Sequence, residues 1–221
     1  MFPRTAPLMV LMALVLLSGT YATAATLSVP GSYSTIQAAI DAANAGDEVV
    51  VAPGTYYQCL KFKGKDITVR STDPTNPTVV ATTIINGGAA YSVVWWESGE
   101  TRACVLSGFT ITNGRNAYGA GMMVNWSSPT ITYNVITGNT GTAAEGNVFG
   151  GGIYTYDSTA LIAHNTISNN TCSMHGGGML CSQGGPTISD NVIKNNTTQG
   201  VGGGIHLYQC NAIVTLSLIH I

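Results

Sequence analysis

His164 and Asp190 are the histidine–carboxylate combination in this chain whose spacing best suits acid–base chemistry. They occupy the same position in successive repeats, 26 residues apart. An imidazole beside a carboxylate can hold and hand on a proton. The competing reading of these positions is a surface polar ladder that continues from Tyr133. Other chemistry-bearing groups are sparse. Glu145, Asp157 and Asp190 are the acids of the regular repeats, and they fall in different columns. No paired-carboxylate site for glycoside hydrolysis forms from them. Arg115 and Lys194 are the only Lys or Arg from Gly108 onward. The glycine runs are not followed by the Asp of calcium-binding nonapeptides, and no Cys-x-x-Cys occurs. His175 sits in a turn and His220 near the chain end, and neither is expected to join a cluster. The sequence therefore predicts no catalytic set beyond the weak candidates His164 and Asp190, no metal site and no cofactor.

A second set of residue types points to binding. Strand alternation sends Met122, Ile153, Met179 and Ile205 inward and Met123, Tyr154, Leu180 and His206 outward. Asn125, Tyr156, Ser182 and Tyr208 follow two residues later on the same outer face, flanked by Trp126, Asp157, Gln183 and Gln209. Rings beside amides and a carboxylate suit sugars: the rings stack on apolar sugar faces while polar groups fix the hydroxyls. Trp126, Tyr154, Tyr156, Asp157, His206 and Tyr208 are the candidate glycan-binding residues. An ordinary β-surface, where Tyr is favoured by propensity alone, is the competing reading.

The elements that must position these residues are visible as columns. One runs Leu106, Ile131, Ile162, Ile188; five residues on runs Ile111, Ile136, Ile167, Ile193. The intervals are 25, 31 and 26 residues. A glycine column, Gly121, Gly152, Gly178, Gly204, precedes them, and the length variation lies between the second Ile strand and the glycine step. Units that vary at one corner and keep the rest in step are turns of a solenoid, stacked to bury a shared core. Asn134, Asn165 and Asn191 form a further column. At a strand spacing of about 4.8 Å their amides can bond one another and the turn backbone. A second polar column runs Gly114, Asn139, Asn170, Asn196.

Ahead of the coils, Leu27 to Pro30 reads as an entry strand. Ser34-Thr35-Ile36-Gln37 has the form of a capping box, with Ser34 as N-cap and Gln37 reaching back. Ile36, Ala39, Ile40 and Ala43 make one apolar stripe, and Gly46 stops the helix. This helix is expected to lie over the open N-terminal end of the core. Thr78 to Ile85 reads as one of the early strands.

Only 8% of residues are charged and the net charge is −2. That excludes the basic patch of a nucleic-acid binder. Arg4, the apolar run Leu8 to Leu17 and Ala22-Thr23-Ala24 together form a secretory signal peptide over residues 1–24. The run is too short to span a bilayer, so the mature chain is expected to be secreted or surface-displayed with no membrane span. Five cysteines, Cys59, Cys104, Cys172, Cys181 and Cys210, leave at least one unpaired; several read as small core fillers. Leu216 to Ile221 matches the translation of a transposase adapter used in sequencing libraries. Residues 216–221 are therefore read as adapter read-through, and the chain as truncated at its C-terminus. The expected layout is a signal peptide (1–24), a cap strand and helix (25–46), coils (47–215) and the adapter segment.

Three segments carry a resemblance. They are Gly46-Asp47-Glu48-Val49-Val50-Val51-Ala52-Pro53-Gly54-Thr55-Tyr56, then Leu106-Ser107-Gly108-Phe109-Thr110-Ile111-Thr112-Asn113-Gly114, and the Gly-Gly-Gly-Ile/Met steps. The chain resembles the right-handed parallel β-helix repeat family of the pectate-lyase-like superfamily over nearly all of residues 26–215. The resemblance implies an all-β fold, a right-handed parallel β-helix with an N-terminal amphipathic capping helix. That fold hosts polysaccharide lyases, hydrolases, epimerases, adhesins and tailspikes, so it does not select an activity. The leading expectation is a non-catalytic module that contacts polysaccharide or a cell-surface glycan, or is adhesive. The alternative is a polysaccharide lyase or glycoside hydrolase whose catalytic coils lie beyond the truncation. A structural stalk is the third reading.

Overall fold

The computed structural model describes residues 23–143 and 147–220. Most of the segment expected to be a signal peptide, Glu145 and Ile221 lie outside the described residues. The strands form four sheets of eight, seven, six and four members, with strands in sequence order along each sheet. Every named strand pairing is parallel. Each regular coil gives one short strand to each sheet in turn, and the product is a right-handed parallel β-helix.

The registers follow the sequence columns. Leu106, Ile131, Ile162, Ile188 and Val214 lie side by side in the eight-stranded sheet. Ile111, Ile136, Ile167, Ile193 and Ile219 do so in the seven-stranded sheet, and Met122, Ile153, Met179 and Ile205 in the six-stranded one. Ile131, Ile136, Ile162 and Ile167 are fully buried; each such side chain stabilises the fold by roughly 1.5–3 kcal/mol.

Two asparagine ladders hold the corners. Asn165 Oδ1 accepts from the backbone N–H of Asn134 at 2.9 Å and from its Nδ2 at 3.2 Å. Asn191 does the same for Asn165 at 2.9 and 3.1 Å, and Asn134 for the N–H of Phe109 at 3.0 Å. Each Nδ2 also donates to a main-chain carbonyl of the preceding coil: Leu106, Ile131 and Ile162. Gly114, Asn139, Asn170 and Asn196 repeat the scheme at the next corner. Glycine is required where the second ladder meets the sheet. A Cβ on Gly152 would sit 2.5 Å from the Gly178 carbonyl oxygen and 3.0 Å from Asn170 Nδ2.

The helix forms as α1, Ile36–Ala42, but its cap differs from the sequence reading. Thr35, not Ser34, is the N-cap, and its side chain accepts from Ala38 N–H. Gln37 does not reach back. Its amide bonds both the N–H and the carbonyl of Lys61 (2.9 and 3.1 Å), tying the helix to the first strand of the six-stranded sheet. Ile36, Ala39 and Ile40 are buried against Thr26–Val29, Glu48–Val51 and Leu60–Lys61. A second helix, α2 (Pro77–Thr82), replaces most of the strand expected over Thr78 to Ile85. Asn76 caps it and Pro77 starts it with a preset φ; the strand begins only at Thr83. At the other end Leu218–Ile219 pairs with Val192–Lys194. Ser217 takes the ladder position and accepts from Asn191 N–H at 3.3 Å. Cys104, Cys172 and Cys181 are buried, and all five cysteines are free thiols.

Candidate functional site

His164 and Asp190 lie in neighbouring coils, one residue past the paired Ala163 and Ser189. Both adopt left-handed backbone, φ 58° and 56°, as Tyr133 does at 57°. This is the corner position, and it throws the side chains outward. The His164 ring stacks flat on Tyr133, with centroids 5.0 Å apart and planes within 10°. Among the described residues no hydrogen bond or ion pair joins His164 to Asp190. Tyr133 and His164 form a stacked ladder at this corner. Among the described residues no three of His, Cys, Asp and Glu group as metal ligands would.

The six-stranded sheet presents a different outer face. Its outward column runs Lys61, Trp95, Met123, Tyr154, Leu180, His206. The sequence reading left this column open to solvent, but Met123, Tyr154 and Leu180 are buried beneath a second layer. Trp95, Phe149 and Tyr156 pack against these three residues. The layer is made by a wall of rings, since Tyr118, Phe149 and His175 stack through single-residue parallel bridges. Tyr118 packs on Phe149 at 5.8 Å and on Tyr154 at 5.4 Å. His175 stacks on Phe149 at 5.9 Å and meets His206 edge-on at 5.3 Å. His175 therefore belongs to a cluster, contrary to expectation. Burial, with Tyr118 and Tyr156 adding to it, pushes the Tyr154 phenol up to about 12.

The wall could have been found from spacing. Tyr118, Phe149 and His175 each stand three residues before a member of the glycine column. The residue directly after each is a left-handed glycine: Gly119, Gly150 and Gly176, φ 57°, 70° and 70°. That turn folds the ring over the sheet, and a Cβ on Gly150 would strike the Ile153 carbonyl at 2.3 Å.

Beyond the wall the face stays open. Tyr156, Ser182 and Tyr208 share one row with Asn125. Trp126, Asp157, Gln183 and Gln209 form the opposite rim, all with left-handed φ between 45° and 57°. The corner conformation tilts these four side chains away from the core. Trp126 meets Tyr156 edge-on at 5.5 Å. Between wall and rim runs a groove of about 600 Å³, bounded by Phe149, His175, His206, Tyr208 and Gln183. A shallower stretch of about 250 Å³ continues past Tyr154 and Tyr156 to Asn125 and Trp126. Two buried polar atoms on this face have no partner, His206 Nδ1 and Asn125 Oδ1. At the far end Lys61 lies 4.3 Å over the Trp95 ring and 3.4 Å from Glu97. Of the candidate glycan-binding residues, Tyr154 is floor, Tyr156, His206 and Tyr208 line the groove, and Trp126 and Asp157 belong to the rim.

Among the described residues no helix is long and apolar enough to cross a membrane. No curated protein and no solved structure matches the chain. A family model described as "Right handed beta helix region" matches residues 67–219. The match takes in every regular coil, both asparagine ladders and the groove, and the chain belongs to this right-handed β-helix family.

Proposed function

We propose that this chain is an exported β-helix module that contacts polysaccharide along its six-stranded face and does no chemistry on it. One observation carries the reading: a groove crossing several coils, with ring edges and amides left open along it. Trp126 is 61% and Tyr208 54% exposed, and both border the groove or its shallow extension. Rings with one free face and a polar neighbour suit a surface that is apolar on one side and hydroxylated on the other, as a pyranose is. Export is supported by Arg4, the apolar run Leu8 to Leu17 and the small-residue site at Ala22 to Ala24. The binding reading is favoured over an enzyme because His164 stacks on Tyr133 instead of pairing with Asp190.

The test is affinity electrophoresis and calorimetry against a polysaccharide panel. Trp126→Ala and Tyr156→Ala should each weaken binding about tenfold, roughly 1.4 kcal/mol. Tyr133→Ala, on another face, should leave it unchanged. Equal losses from all three variants, or no binding by the parent chain, would defeat the reading. Secreted from a host with its leader, the chain should begin at Ala25.

A further inference from the structure

We infer that the groove selects an uncharged saccharide and rejects uronate chains; this rests on the polysaccharide-contact reading above. The deeper stretch is lined by aromatic, imidazole, amide, hydroxyl and aliphatic side chains, with no Asp, Glu, Lys or Arg among them. The shallow stretch adds only Asn125 and Trp126, also uncharged. The charge nearest in sequence to the Tyr156 row is the rim carboxylate of Asp157, which is exposed. Lys61 is the one cation on this sheet's outer column, and it is already engaged by Glu97 and Trp95. Its strand lies three places along the sheet from that of Tyr154, roughly 14 Å at ordinary strand spacing.

A chain of uronic acids brings a carboxylate with every sugar. A site for it supplies cations, with Arg in bidentate geometry the strongest. Placed here, each carboxylate would lose water against aromatic walls with no Lys or Arg to meet it, and Asp157 would repel it. A neutral pyranose has no such cost. Its C–H face covers the rings, and its hydroxyls both donate and accept. They can therefore meet the amides of Gln183 and Gln209 and the hydroxyl of Tyr208, which line the groove. Tyr208 in the groove and Asn125 in its shallow extension sit in strands three places apart on the sheet. A linear glycan reaching both must cross the strands, along the axis of the coils.

Isothermal titration on the mature chain decides the matter. The ligands are gluco-, xylo- and manno-oligosaccharides set against oligogalacturonate and oligomannuronate of matched length. The expected result is binding by at least one neutral series, tightening with length and then levelling, with both uronate series at least tenfold weaker. Asp157→Asn should raise the weak uronate affinity and so narrow the gap between the two series. Uronates binding as tightly as the neutral series, or more so, would overturn the charge inference and leave the polysaccharide contact standing. No heat from any ligand at millimolar concentration would overturn both.

Discussion

Asn165 shows how much one side chain does at a coil corner. Its oxygen serves two donors of Asn134, and its nitrogen reaches the carbonyls of Ile131 and Ala163. The residue is 1% exposed, so water cannot replace these partners. Asn165→Leu should lower stability by roughly 1–3 kcal/mol through the stranded groups, and thermal melts read it directly. An unchanged melt would show that the ladder carries no net stability. The five thiols make a second test at this scale. Burial pushes Cys104 up to about 12, and burial raises Cys59 and Cys172 as well. Cys210, half-buried and hydrogen-bonded by Cys181, is brought down to about 7, while Cys181 itself moves up. The thiolate is the reacting species. Iodoacetamide on the folded chain should therefore label Cys210 first, half-maximally near pH 7, with Cys104 unlabelled. Equal labelling of both would contradict the placement.

Among the elements, the glycine step sets how closely coils approach. Gly152→Ala would force a Cβ onto the carbonyl of Gly178, fixed backbone that has no flexible end to move aside. A loss of about 2–3 kcal/mol is expected from such overpacking. Gly46, φ 88°, has open space around it, so Gly46→Ala should cost only the left-handed strain of about 1–2 kcal/mol. Chemical denaturation of the two variants separates steric from conformational demand. The coil strands were legible in the sequence because their inward positions recur, as Ile131, Ile162 and Ile188 do. The element α2 was not. Val79, Val80 and Ile84 read equally well as strand, and the decision lies in Asn76 and Pro77, which look like loop until the cap is seen. The groove was half legible. Its floor and rim alternate as strands must, but the wall comes from the preceding turn and covers residues far from it in sequence: Tyr118 packs on Tyr154.

For the molecule as a whole, contacts run between neighbouring coils, so local stability should vary along the axis. Ile131, Ile136, Ile162 and Ile167 are sealed, whereas Ile213, Val214 and Ile219 are exposed in the last described strands. Amide exchange should be slow at Val135 and Thr166, whose N–H groups bond Phe109 and Asn134, and faster at Leu218 and His220. Uniform protection along the chain would mean that the coils open as one unit. The asparagine ladders add a direction to this picture. Asn165 and Asn191 offer their oxygens to donors on the coil before, and their amides find that coil's carbonyls. A finished coil thus waits with its donors set, and the next to arrive brings the acceptor. Assembly of this kind has an order: a chain delivered amino end first can add each turn as it emerges, and each turn's ladder bonds close when the next one lands.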